Sequence, residues 1–226
     1  MGLRYLGAVS QPKQRARSSH DKQLRKAALL AAARELALEQ GVREVTLAAV
    51  TGRVGLHPSA IRRYFESREE LLLELAEQGW ADWRDRLVSG LGDSRGLAAD
   101  RIAEVVSDSL EQLPLFCDLL THVALSLEGA VRLERARRYK TAATAAYDTM
   151  TRALIDADAG LDRQGAQTLL TAAMSCGAYL FQLSRPSATL RQLYAQEPRW
   201  AHDALRFREQ LTTLLTTVAR GARKLG

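Results

Sequence analysis

Residues 46–65, TLAAVTGRVGLHPSAIRRYF, restrict this chain more than any other stretch. Thr46 is a favoured helix-capping residue, and it precedes a run in which Val50 and Val54 lie one turn apart. Gly55 supplies a turn. His57 can cap a further helix, with Pro58 at the first helical position, where its missing N–H costs nothing. Ile61 and Phe65, four residues apart, would face inward together. Two short helices joined at a glycine, the second carrying Arg62 and Arg63, make a helix-turn-helix. The second helix of such a pair is suited to the major groove of double-stranded DNA.

The flanking sequence fits a small helical module. Asp21–Gln40 is rich in good helix formers, Leu29, Ala33 and Leu36 share one face, and Gly41 stands where a helix stops. These apolar positions predict one core with Val45, Val50, Ile61 and Phe65. Ser67-Arg68-Glu69-Glu70 reads as a capping box, opening a helix through Leu71, Leu72, Leu75, Ala76, Trp80, Trp83 and Leu87 to about Ser89. Beyond Gly92 the pattern predicts helices near 96–111, 115–128, 130–157, 162–184 and 201–222, divided by glycines and prolines. Residues 185–199, with two prolines, read as the longest loop. No β-type alternation or internal repeat occurs. The expected fold is all-α: a disordered basic arm over 1–19, a helix-turn-helix domain over 20–66, and a helical regulatory and dimerisation domain over 67–226.

Charge sharpens this reading. The chain carries a net +6, but residues 1–65 hold 12 Lys/Arg against 4 Asp/Glu, and residues 66–226 hold 20 against 22. The excess positive charge therefore sits with the helix-turn-helix, as a phosphate binder requires, although solubility alone is the plainer explanation of a basic segment. The arm, with Arg4, Lys13, Arg15 and Arg17, is either solvated coil or a strand for a minor groove. Cys117 and Cys176 lack ligand-like spacing and suit a reducing compartment. No apolar run approaches the ~18–20 residues of a membrane span, and the N-terminus lacks an apolar signal segment, so a cytoplasmic location is expected. Four scattered histidines, with no phosphate loop or nucleophile motif, argue against an enzyme and against a bound metal or cofactor.

Gly41-Val42, Thr46-Leu47-Ala48-Ala49-Val50, Gly55-Leu56, Tyr64-Phe65 and Ser67-Arg68-Glu69-Glu70-Leu71, in this order and spacing, resemble the TetR (tetracycline-repressor) family over residues 22–75. The resemblance implies an all-α homodimer with an N-terminal DNA-binding domain. It also implies a C-terminal domain whose small-molecule pocket, when filled, usually releases DNA; members are chiefly transcriptional repressors. Three positions depart from the family pattern: Arg62 replaces a common aromatic residue, Ala60 a common Thr or Ser, and Arg68 a common Lys. The first two lie on the reading helix, so the operator sequence is not transferable from other members.

Candidate DNA contacts follow. In an α-helix Arg62 and Arg63 point about 100° apart, so one can pair with guanine while the other lies towards a phosphate strand. His57, Ser59 and Ala60 begin the reading helix, with Ala60 placed to meet a thymine methyl; His57 is either a cap or a DNA contact. Tyr64 resembles the family tyrosine that binds a phosphate, and packing is its alternative role. Thr46 and Arg68 lie at helix N-termini, which favour phosphate. Arg43 and Arg53 are weaker candidates. Two copies about a two-fold axis would read a near-palindromic operator. The expected dimer surface comprises Ala166, Leu169, Leu170, Ala173, Gly177 and Phe181 on one helix and Leu211, Leu214, Leu215, Val218 and Ala219 on the other; intrachain core is the alternative. Candidate linings for an unidentified small-molecule effector are Trp80, Trp83, Phe116, His122, Tyr139, Tyr147, Met150, Met174 and Tyr179, with core packing the alternative for each. A regulator without a small ligand, controlled by a protein partner or constitutive, is the competing function.

Overall fold

A computed structural model of the chain describes residues 12–201 and 206–223, with side chains from His20 onward. Among them nine α-helices follow one another, joined by short 3-10 turns, with no strand beyond a lone bridge between Leu161 and Arg223. Helix α1 spans Pro12–Gln40. It begins earlier than Asp21, because Lys, Gln, Arg and Ala between Pro12 and His20 are themselves good helix formers. Residues 1–11 of the expected arm lie outside the described residues. Gly41 ends α1 with φ of 93°, a conformation that side chains rarely adopt. A 3-10 turn, Val42–Glu44, leads to α2, Leu47–Arg53.

After the reading element, α3 spans Arg68–Leu91. Ser67 caps it by accepting the Glu70 amide at 3.1 Å. The return bond of the capping box lands one residue early, since the Glu70 carboxylate accepts from Glu66 N at 2.6 Å. Helices α4 (Ala99–Glu111) and α5 (Pro114–His122) follow, with Pro114 in the first turn of α5. Helix α5 does not continue as α to residue 128: Val123–Leu127 opens into a π turn, and Glu128–Ala130 tightens into a 3-10 turn. The long helices α6 (Leu133–Ala157) and α7 (Arg163–Leu183) come next. The expected loop contains α8, Ala188–Gln196, capped by Ser187; its two prolines lie just outside the helix, where they bound it rather than break it. Helix α9 spans Phe207–Ala222. No single helix among the described residues is long and apolar enough to cross a membrane.

Helix α3 organises the body. It packs on α1 at one end and on α4, α5 and α6 along its length. Its residues Leu71, Leu72, Leu75, Ala76, Trp80, Trp83 and Leu87 are all buried, as their spacing predicted. The approach of α5 depends on Gly79, because a Cβ there would lie 2.3 Å from Cδ2 of Phe116.

Candidate functional site: a DNA-reading face and an apolar cavity

The reading head is assembled by local bonds. Thr46 Oγ1 accepts the Ala49 amide at 3.1 Å and starts α2. Gly55, with φ of 68°, turns the chain, and the Leu56 amide returns to Thr51 O at 2.9 Å. His57 Nδ1 accepts the Ser59 amide at 3.3 Å and lies 2.8 Å from Ser59 Oγ. The segment Pro58–Arg63 that follows is a 3-10 helix, not the expected α-helix. At three residues per turn Arg62 and Arg63 point about 120° apart. Buried Val50, Ile61 and Phe65 press it onto α1 and α2. Lys26 secures the joint with α3, pairing with Glu74 at 2.5 Å while lying over the Phe65 ring.

This arrangement sorts the candidate DNA contacts. His57, Ser59, Arg62 and Arg63 are exposed on one element, with Ala60 and Tyr64 half-buried beside them. Arg62 bends back to donate to the Glu66 carbonyl, so Arg63 is the more outward cation. Arg68 is turned inward: its Nε donates to Val45 O at 2.5 Å and its Nη2 to Val42 O at 2.7 Å and Arg43 O at 3.2 Å. Its guanidinium therefore holds backbone carbonyls of the head. Arg53 is likewise tied to α1, with both terminal nitrogens 2.7 Å from Glu39 oxygens.

A cavity of about 300 Å³ lies between α3, α5, α6 and α7. Four of the expected linings meet there: Trp80, Tyr139, Tyr147 and Met174. Trp80 Nε1 donates to Tyr139 Oη at 2.8 Å, and burial pushes that phenol up to about 12. Sequence reasoning missed Leu120, Val123, Ala124 and Glu128, which the end of α5 and the turns after it contribute, and Lys140, Ala143 and Thr144 from α6. For α6 a signal existed: Tyr139, Ala143 and Tyr147 repeat every four residues, which sets a small residue between two rings. A Glu128–Lys140 pair at 2.7 Å adds the charged part of the wall.

The other expected linings lie elsewhere. Trp83 is fully buried and donates to Ser109 Oγ at 3.0 Å, so it belongs to the α3–α4 core. Phe116 packs edge-on to Trp80 and against Gly79, and Met150 is core. His122 turns towards Asp118, with Nε2 3.5 Å from its carboxylate. Tyr179 is 65% exposed on the outer side of α7.

The expected dimer surface needs the same correction. Ala166, Leu169, Leu170, Ala173, Gly177 and Phe181 are buried within one chain, as are Leu211, Leu215 and Ala219. They belong to the protomer's own core, where α7 and α9 pack on each other and on α4, and α7 and α9 approach so closely that a Cβ on Gly165 would lie 2.4 Å from Ala222 O. The most apolar stripe of each helix turned to the nearest partner, which was in the same chain. Leu214 and half-exposed Val218 remain outside, among threonines and serines.

Comparison with known proteins agrees with both halves of the molecule. The model for bacterial regulatory proteins of the tetR family matches residues 29–75, and that for the tetracyclin repressor-like C-terminal domain matches residues 77–225. A search of curated protein sequences finds no match. Solved structures share the fold at low identity. A tetR-family regulatory protein from Rhodococcus RHA1 superposes with a TM-score of 0.54 at 16% identity, covering 86% of this chain and 96% of its own. FadR from Bacillus subtilis, solved with stearoyl-CoA, gives 0.52 at 14%, covering 85% and 98%. SmeT, repressor of a Stenotrophomonas maltophilia multidrug efflux pump, gives 0.52 at 19%, covering 89% and 91%. Two family models that between them span nearly all of the chain from Leu29 onward leave one conclusion: this protein belongs to the TetR family of transcriptional regulators.

Proposed function

We propose that the protein is a sequence-specific repressor that binds a near-palindromic operator as a homodimer and leaves it when a small apolar or amphipathic molecule fills the cavity. One observation carries this reading: α3 is joined to the reading head at Arg68 and walls the cavity at Trp80. Whatever displaces α3 at the cavity therefore displaces the head. Aromatic and aliphatic walls with one ion pair suit an amphiphile, and the acyl-CoA bound by the Bacillus subtilis relative supports that class of ligand. For the dimer, the outer faces of α7 and α9 offer small side chains, among them Thr168, Thr171, Ser175, Thr213 and Thr217. Such a surface permits close helix approach about a two-fold axis.

Selection of bound DNA from a random library tests the reading directly. It should return a near-palindrome with half-sites about one helical turn or somewhat more apart. Replacing both Arg62 and Arg63 by Ala should lower specific affinity by about 100-fold or more, leaving helix content and oligomeric state intact. Specific binding retained by that variant would reject the arginine pair as the reader. An effector should change Trp80 fluorescence at the concentrations that release DNA. If DNA release tracks a protein partner while Trp80 stays silent, the cavity is not the control site.

A further inference from the structure

We propose that the Asp118 carboxylate is the strut through which the cavity controls the DNA-reading head; this rests on the function proposed above. Asp118 lies in the middle of α5 and is only 8% exposed. Its Oδ2 accepts the Val42 amide across the domain boundary at 2.9 Å. Its Oδ1 accepts from Gln182 Nε2 of α7 at 2.9 Å, and His122 closes its third side. Val42 is itself buried, in the turn that ends α1, and its carbonyl is held by Arg68 at 2.7 Å. One peptide of the head is thus gripped by the body through its N–H and by the first turn of α3 through its neighbouring carbonyl.

The C-terminal end of α5 is part of the cavity wall. Leu120 lies two residues beyond Asp118, and Val123 and Ala124 open the π turn. Such turns recur where a helix must adjust. Leu120 and Asp118 lie in one unbroken helix of nine residues, about 14 Å long, so an occupant pressing on Leu120 moves Asp118 with it. Stretching a hydrogen bond weakens it steeply, and Val42 is only 1% exposed, so parting from Asp118 leaves a buried amide without its acceptor. Arg34 to Gln78 and Arg132 to Glu66 also join the halves, but through groups that solvent reaches, so breaking them costs less, while Lys26 to Glu74 and the Arg68 bonds tie the head to α3 rather than to α5.

Cavity-filling substitutions stand in for the effector in the test. Ala143→Phe fills the cavity from α6, and Ala124→Phe fills it from the π turn. Hydrogen exchange of the full-length protein reads the Val42 amide, and the library-selected operator reads affinity. Each filling variant should speed Val42 exchange at least tenfold, leave the Ala33 amide inside α1 unchanged, and weaken operator binding about 5–150-fold. Asp118→Ala should speed Val42 exchange by itself and abolish the added effect of either filling variant. Asp118→Asn retains an acceptor oxygen and should keep the amide slow. Unchanged Val42 exchange in both filling variants overturns the strut. So do filling and Asp118→Ala effects on operator binding that simply multiply. If no operator is found, the proposed function fails, and the exchange measurements still decide the strut.

Discussion

Replacing Arg68 by Ala separates a structural clamp from a DNA contact. The side chain makes two short hydrogen bonds, to Val45 O at 2.5 Å and Val42 O at 2.7 Å, and a longer one to Arg43 O at 3.2 Å. A bond to a charged group contributes ~1.5–3 kcal/mol. The side chain is 28% exposed, so the lower end applies, and the two short bonds give about 3 kcal/mol. At ~2–4 °C per kcal/mol for a chain of this length, Tm should fall by about 6–12 °C, read by calorimetry on the whole protein. Lysine at the same position keeps the charge but loses the planar fork, so it should recover less than half of the loss. Operator affinity will weaken as the head loosens, but the slope of log affinity against log salt should not change. A Tm within about a degree of wild type, with that slope reduced by about 1, would mark Arg68 as a phosphate contact and refute the clamp.

Three further outcomes follow from particular contacts. Gly79→Ala drives a methyl into Phe116 and should destabilise the fold by about 1–3 kcal/mol in urea titration, and unaltered stability would contradict the packing of α5 on α3. Burial pushes the Cys117 thiol up to about 12, so at pH 8 only about one molecule in ten thousand carries the thiolate; iodoacetamide should label half-buried Cys176 first and Cys117 only on unfolding, as peptide mass mapping would show. Burial raises the Asp118 carboxyl, but bonds from His122, the Val42 amide and Gln182 outweigh it and hold it below its ordinary 3.8. Its folded pKa is thus the lower one, so its stabilisation is complete above the ordinary carboxylate range and lost as pH falls through the folded pKa; the stability gap to Asp118→Asn should be flat from about pH 5 to 8 and shrink below about pH 4.

What could be read from the residues was what short-range chemistry decides. Thr46, His57 and Ser67 cap the helices that follow them, and Gly41 ends α1, because each acts on atoms within a few positions of itself. Role and partner were less legible. Arg68 reads as a phosphate ligand from its place at a helix N-terminus, but its acceptors lie 23 to 26 residues earlier. The stripes on α7 and α9 read as a dimer surface, yet most of their residues are covered by the chain itself, because periodicity records that a face is apolar and not which chain covers it. The cavity was half visible: helical spacing exposes the α6 tyrosines, whereas Val123, Ala124 and Glu128 come from π and 3-10 turns that follow neither helical period.

The boundary that has to move is set by how unequally the two halves hold α3. At its start the helix is bound to the head by Arg68, by the Lys26–Glu74 pair and by buried leucines, so head and α3 travel together. Farther along, α5 meets α3 where the Phe116 side chain sits over the bare backbone of Gly79 and against the Trp80 and Trp83 rings. Beyond that contact α5 is held by α7, through Gln182 on Asp118 and Thr121 on the Ala178 carbonyl, and by the head, through Asp118 on Val42. Under the proposed control, the buried Asp118–Val42 bond is the link placed to carry a displacement of α5 at the cavity to the reading face.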